Sequence, residues 1–337
     1  MTAGPRQFAV PHHTGSHRPG PAALRWGVIG ATSTVARLAV IPAIEASPKA
    51  ELVALASLSG HAPSSDAKSY DAYEEVLADP DVEAVYIPLP NHLHREWTER
   101  AAAAGKHVLC EKPMAPTAAD ASAMHDACRT AGVMLAEAYM TPFHPRARAV
   151  VDEARGGRLG DVQHMQCTFS FPLRDAGNHR WQAACGGGAL LDVGIYCLAP
   201  ILEIAGRPPL RLFAAARTTP GGVDASFAAT LDFGAGLAAD VWCSFDAPER
   251  QTMVVTGTTG AVSIEQAFTA GPAETSFTIE GADGSSTVLD TGGADPYRGM
   301  VDHFQTVVRG GAHLRRPPED SIALLALMDS LRAAASS

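Results

Sequence analysis

The sequence predicts an α/β protein in two parts, a doubly wound parallel sheet followed by an α+β domain with a large, mostly antiparallel sheet. Three observations predict it. An apolar strand, Arg25-Trp26-Gly27-Val28-Ile29, runs into a turn at Gly30, as the first strand–turn–helix unit of an open parallel sheet does. A second apolar strand, Gly105-Lys106-His107-Val108-Leu109-Cys110, closes on Glu111-Lys112-Pro113. Beyond residue 140 strand follows strand, with Phe233-Gly234-Ala235-Gly236 and Gly257-Thr258-Thr259-Gly260 turns between them.

Residues 1–23 are rich in Pro, Gly, His and Ala and have neither an apolar stretch nor any periodicity, so they read as a disordered extension. His12, His13 and His17 have no neighbours that fix a ligand geometry, and no metal is expected. A dinucleotide-binding domain is expected over residues 24–140. Its elements are a helix from Val35 to Ala46 interrupted by Pro42, a strand from Leu52 to Ala56, and a loop from Ser57 to Ala72 too short for a full crossover helix. A helix from Tyr73 to Ala78 and a strand Val85-Tyr86-Ile87 lead into Pro88-Leu89-Pro90-Asn91-His92. A helix from about His94 to Ala104, the strand ending at Glu111, a helix from Thr117 to Thr130 and a strand from Val133 to Ala136 complete it.

Residues 141–337 are expected to form the second domain. Helices from Arg146 to Arg155 and about Ala189 to Ala205 accompany strands near 162–171, 210–218, 226–233, 236–245, 251–257 and 261–265. The stretches Tyr297 to Arg309 and Pro318 to Ala335 have helical spacing and should pack back on the chain.

Composition narrows the function. The 337 residues are 46% hydrophobic, enough for two cores. A net charge of -10 without Lys/Arg clusters excludes a nucleic-acid or anionic-membrane surface and favours small-molecule chemistry. By sequence, no run is expected to reach the roughly 18 apolar residues of a membrane span. The six cysteines, at 110, 128, 167, 185, 197 and 243, form no CxxC pair and suit a reducing cytoplasm.

In an open α/β sheet, ligands bind where strand carboxyl ends meet a crevice, so Glu111 and Lys112 would lie beside a cofactor spread over the Gly30 turn. Pro113 fixes φ, and Lys-Pro is one of the few bonds that can be cis, which aims the lysine. This is a dehydrogenase reading. The turn itself, Gly30-Ala31-Thr32-Ser33-Thr34-Val35, keeps only the first glycine of a Gly-x-Gly-x-x-Gly fingerprint. Thr32, Ser33 and Thr34 can cap the helix and offer hydroxyls and backbone donors to a pyrophosphate. The second strand ends in Ser57-Leu58-Ser59-Gly60 with no acid to repel a 2′-phosphate, so NADP is expected, with NAD the alternative because no Arg follows Ser57.

Four runs together resemble the glucose-fructose oxidoreductase and inositol dehydrogenase (Gfo/Idh/MocA) family over roughly residues 24 to 335. They are Arg25 to Gly30; Pro88 to His94; Ala104 to Pro113; and Gly186-Gly187-Gly188-Ala189-Leu190-Leu191-Asp192-Val193-Gly194-Ile195-Tyr196. The resemblance implies an N-terminal Rossmann domain, a C-terminal sheet that makes homodimers or homotetramers, and hydride transfer at a carbohydrate-like carbon. The chain departs from the family in the missing glycines after Gly30, the shortened segment after Ser57, and Leu58 where NADP-using relatives often carry Arg. Tyr196 stands where many relatives have His, as in sugar and dihydrodiol dehydrogenases.

Asp192 and Tyr196 are four apart and share a helix face. A neighbouring Lys112 would favour the phenolate, so Tyr196 could exchange the alcohol proton while Asp192 holds a substrate hydroxyl. The resemblance also implies that Pro88, Asn91 and His94 approach the nicotinamide ribose, and that Tyr139 and His144 line the pocket. Arg180 and Trp181, with Asn178 and His179, form a polar-aromatic cluster suited to sugar. The function expected is an NAD(P)-dependent oxidoreductase acting on a sugar, polyol or diol. The alternatives are a nucleotide-linked keto-deoxysugar ketoreductase and, in another class, a non-catalytic cofactor- or sugar-binding relative.

Overall fold

The computed structural model describes residues 22–58 and 65–336. The expected disordered extension, apart from Ala22 and Ala23, and the expected cofactor contact Ser59 lie outside them.

The first sheet is built from β1 (Leu24–Ile29), β2 (Ala50–Ala56), β3 (Lys68–Tyr70), β4 (Ala84–Ile87), β5 (His107–Glu111) and β6 (Leu135–Ala138). All pairings are parallel and the order is β3-β2-β1-β4-β5-β6, so strand order reverses between β1 and β4. Such a switch point opens a crevice at the strand carboxyl ends. Gly30, Pro88 and Glu111 all lie there.

The connecting helices are α1 (Ile41–Ala46), α2 (Tyr73–Ala78), α3 (His94–Ala103) and α4 (Ala118–Ala131). α1 is preceded by a π turn, Ala36–Val40, which brings Pro42 in as one of the first residues of α1. Proline has no N–H to give a preceding carbonyl, and the wider turn accommodates that loss without breaking the helix. Two expectations fail in this half. The segment expected as a loop after Ser57 contains β3, an edge strand. The last strand begins at Leu135 rather than Val133, which carries Glu137 into the sheet.

The second part comprises α5 (Pro145–Arg155), β7 (Val162–Ser170), α6 (Ile195–Ala205), β8 (Arg211–Thr218), β9 (Asp224–Gly234), β10 (Leu237–Ser244), β11 (Arg250–Gly257) and β12 (Gly260–Glu265). Two further strands, β13 (Ser276–Gly281) and β14 (Ser286–Asp290), were not expected. The eight strands run in the order β14-β13-β12-β11-β7-β10-β9-β8, antiparallel throughout except for the β7–β10 pair.

The helices α7 (Pro296–Val308) and α8 (Pro318–Ala335) follow. α7 returns to the first sheet. Phe304 packs on Trp26 with ring centroids 5.2 Å apart, and Gln305 donates to Ser47 Oγ at 3.2 Å. The stretch Ala183–Ala205 is long and apolar enough to cross a membrane by length and composition, which the sequence reading overlooked, but 78% of its most apolar window is buried inside the protein. Its apolarity serves the core. All six cysteines are free, five of them buried.

Candidate active site

The crevice is lined from β5 on one side and from the start of α6 on the other. β5 delivers Glu111 and Lys112 to its carboxyl end, and the Lys112-Pro113 bond is cis. Opposite, the glycine run turns the chain into a π turn, Leu190–Gly194, that leads directly into α6. Gly188 has φ +116°, and a Cβ there would meet Asp224 Oδ1 at 2.2 Å, so only glycine lets the run pack this closely. Asp224 in turn accepts from Leu190 N at 2.7 Å, and burial pushes its carboxyl up to about 6.

The two sides meet at Asp192. Lys112 Nζ donates to the Asp192 carbonyl at 2.7 Å and to Oδ1 at 3.0 Å, while Arg180 Nε donates to Oδ2 at 2.8 Å. Burial works against the charge of Asp192, but Lys112 and Arg180 together outweigh it and hold the carboxyl down at about 2. The carboxylate is therefore fixed between two cations. Lys112 Nζ also sits over the Tyr196 ring, 4.7 Å from its centroid. Two of the three ammonium protons are committed to Asp192, which leaves one for a ligand.

Tyr196 is enclosed. The rings of Tyr139, Phe169 and Phe268 lie 5.5, 5.2 and 6.3 Å from its own, and its hydroxyl approaches Met140 Sδ at 3.8 Å. Burial, then the carboxylates of Glu111 and Asp192, push its acidity far down, so the phenol is protonated at neutral pH. This corrects the expectation that Lys112 brings the phenolate within reach. Lys112 faces the ring and is neutralised by Asp192, so its field at the phenol is largely cancelled.

Glu111 is buried and accepts from Tyr86 Oη at 2.6 Å and from Lys112 N at 3.1 Å. Burial raises its pKa nonetheless. Asn91 Nδ2 donates to the carbonyl of Gly186 at 2.8 Å, tying the crevice wall after β4 to the glycine run. Trp181, next to Arg180, packs edge-on against Phe245 at 5.2 Å.

Three residues expected to contact ligand are buried, two of them, His94 and His144, bonded to backbone carbonyls. His94 is fully buried, with Nδ1 3.0 Å from the carbonyl of Pro113 and Nε2 2.7 Å from that of Leu89, so it ties the Lys112 loop to the segment after β4. His144 is 1% exposed and bonds Gly271 O at 2.9 Å. Tyr139 is 3% exposed, behind Tyr196. Polar side chains facing apolar neighbours are recruited by backbone carbonyls that would otherwise lack a donor.

Conversely, Tyr86, Arg316 and Tyr297 adjoin the site and were not expected, and Glu137, which the family resemblance places near the cofactor and substrate, acts as a clamp. Glu137 accepts from Met114 N at 2.7 Å, Ser321 Oγ at 2.7 Å and Arg316 Nε at 3.2 Å, clamping the segment after Pro113. Tyr297, at the start of α7, is made less acidic by burial and by Tyr196 and Glu111, and more acidic by Lys112, which places it within electrostatic reach of all three.

The crevice suits a dinucleotide. Gly30 turns at φ +96°, and a Cβ would meet Leu89 Cδ2 at 2.7 Å. The helix after it begins at Thr34, and its first-turn N–H groups have no acceptor within the helix. Ser57 and Thr32 hydroxyls are 3.1 Å apart at the end of β2. Among the described residues no group of His, Cys, Asp and Glu could hold a metal.

Residues 24–139 match the oxidoreductase family with an NAD-binding Rossmann fold, and residues 145–263 match the C-terminal domain of the same family. The chain is similar to D-xylose 1-dehydrogenase (NADP(+)) 2 of Haloferax volcanii, 34% identical over 91% of this chain and 96% of that protein. Among solved structures it is similar to a 3-ketoreductase from Actinomadura kijaniata in complex with NADP and TDP-benzene, with a TM-score of 0.84 and 30% identity over 93% of this chain and 98% of that one. An aldose-aldose oxidoreductase from Caulobacter crescentus, complexed with glycerol, also has a TM-score of 0.84, with 28% identity over 93% and 98% of the two chains. A parallel sheet with its switch point, an eight-stranded second sheet and matches of both halves to the family's two domain models show that the chain belongs to the Gfo/Idh/MocA oxidoreductase family.

Proposed function

We propose that the protein is an NADP-preferring dehydrogenase or reductase that interconverts a carbinol and a carbonyl of a sugar, polyol or diol. The observation that carries this reading is the convergence of Lys112, Asp192 and Tyr196 from two halves of the chain at the mouth of the dinucleotide crevice. When bound, the nicotinamide supplies or accepts the hydride. Lys112 uses its remaining N–H to polarise the substrate oxygen, and the Asp192 carboxylate, which stays ionised above about pH 2, fixes the ammonium in place. Tyr196, held protonated by burial, donates its phenolic proton to the developing alkoxide. Arg180, bonded to Asp192, and its neighbour Trp181 would provide the polar and apolar contacts a sugar ring needs.

NADP rather than NAD is supported by the hydroxyl-bearing end of β2 at Ser57, where an acid would exclude a 2′-phosphate, and by the NADP named for two of the similar proteins. A homo-oligomer through the open face of the eight-stranded sheet is supported by the exposed Phe213 and Trp242 on that face, 69% and 37% exposed. Six unpaired cysteines fit a reducing compartment such as the cytoplasm.

Assays of reduced-cofactor consumption with keto-sugars, free and nucleotide-linked, run beside oxidised-cofactor reduction with aldoses, polyols and diols, test the reading. Turnover in either direction is expected. A protein that binds NADP but turns over none of them would instead be a non-catalytic relative.

A further inference from the structure

We propose that a cleft between α5, α6 and α8, two helical turns along α6 from Tyr196, is a separate binding site for a small amphiphile with an anionic head. The inference does not depend on the catalytic reading. The cleft has a volume of about 710 Å³, in the range of small-molecule sites. Its floor is apolar, with Leu202 from α6, Leu212 from β8 and Ala326 from α8. Its rim is cationic: Arg148 and Arg155 come from one face of α5 and Arg315 from the loop before α8.

The carboxylates nearby do not balance the rim. Glu203 pairs with Arg148, which also takes Asp152, so Arg155 reaches Glu203 only at 3.9 Å. Arg315 has no carboxylate partner among the described residues. Its guanidinium is preorganised all the same, because it donates to Pro142 O at 2.7 Å and lies over the Phe143 ring, 4.8 Å from the centroid. Burial and the neighbouring Arg148 work against its charge and outweigh the more distant support of Asp152 and Glu203, a balance that a bound anion would improve. Asp320 also lines the cleft, but it makes no ion pair with Arg155 or Arg315. A planar or tetrahedral anion between Arg155 and Arg315, with an apolar body on the floor, satisfies both surfaces at once.

The cleft also touches the catalytic wall. Arg316, which lines it, bonds Glu137 at 3.2 Å and lies 5.5 Å from the Tyr139 ring, and that ring packs on Tyr196. A ligand here is in a position to act on turnover.

Calorimetric titration of the full chain with 2-naphthoate and 2-naphthyl phosphate, with 2-naphthamide as the uncharged body and inorganic phosphate as the bare head, tests the site. The expected result is one-to-one binding of a charged naphthalene, at least about tenfold tighter than the amide and than phosphate alone, the tighter of the two naming the head group. Arg315→Gln should weaken it about tenfold or more, and Ala326→Trp, at an exposed floor position, should abolish it, while NADP binding is unchanged in both. Equal affinity for the amide, an Arg315→Gln affinity within about twofold of the parent, or displacement of the probe by saturating NADP would each overturn the proposal.

Discussion

Replacing Asp192 by Asn removes one charge from between two cations and leaves the side-chain volume almost unchanged. The carboxylate is 13% exposed and Lys112 12%, so both are shielded from solvent, whereas Arg180 is 36% exposed and part of its charge is screened. Holding the carboxyl at about 2 rather than its ordinary 3.8 corresponds to about 2 kcal/mol of folding stability at neutral pH. Breaking a buried pair by removing one partner typically costs about 3–5 kcal/mol, and the exposure of Arg180 moves the expectation to the lower part of that range. Asp192→Asn is therefore expected to lose about 2–3 kcal/mol in urea unfolding at pH 7. The pKa is depressed in the folded state, so the contribution is full above about pH 4 and disappears as pH falls towards 2. Midpoints measured for parent and variant at pH 7, 5 and 3 should thus show the same gap at the first two values and a smaller one at the third. A gap below about 0.5 kcal/mol at pH 7, or one that persists undiminished at pH 3, would refute the reasoning that Asp192 is the clamp between Lys112 and Arg180.

Other expectations concern the groups around that clamp. Asp224 has the opposite sign: its folded pKa of about 6 is raised, so its stabilising contribution is full below about pH 4 and lost as pH rises through 6. The stability of the parent relative to Asp224→Asn should accordingly increase by about 2 kcal/mol from pH 7 to pH 4 in chemical denaturation. Tyr86→Phe deletes the donor to the buried Glu111 and should cost about 1–3 kcal/mol in the same assay. His94→Leu replaces the imidazole with an apolar side chain and removes the one N–H that the neutral ring offers to the carbonyls of Leu89 and Pro113; a loss of about 1–3 kcal/mol is expected, together with weaker dinucleotide binding by fluorescence titration, because the Lys112 loop loses its tie.

Much of this architecture is legible in the sequence because buried parallel strands are short apolar runs. β1, β4 and β5 have nearly every residue buried, and their turns carry Gly30, Pro88 and Pro113. Two of the three strands that escape reading are sheet edges. β3 is Lys-Ser-Tyr, and β14 has four of five residues exposed, so neither has an apolar face for a periodicity to reveal. The start of β6 is misplaced for a different reason. Val133 and Met134 are as apolar as the strand itself, while Glu137 looks like the end of one, and the partners that make its burial tolerable, Arg316 and Ser321, are about 180 residues away.

The same distinction runs through the site. Lys112, Asp192 and Tyr196 are marked by motif and spacing, whereas the roles of His94 and His144 depend on carbonyls brought to them by folding. A tyrosine inside the otherwise apolar β4 was a usable signal, since a buried hydroxyl requires a partner, and Glu111 is that partner. The ionisation of Tyr196 was not readable at all. It depends on three surrounding aromatic rings and on how Asp192 neutralises Lys112, which are properties of the assembled site.

The most direct test of the catalytic account is the turnover of Tyr196→Phe and Lys112→Met, measured on protein shown by fluorescence titration to bind NADP as the parent does. Positioned acid-base groups contribute about 10²- to 10⁴-fold, so each variant should lose kcat by that order with the dinucleotide Kd unchanged, and the double variant should be little worse than the more damaged single one. Near-normal kcat in a folded, cofactor-bound Tyr196→Phe would contradict the account and reduce the tyrosine to packing among Tyr139, Phe169 and Phe268.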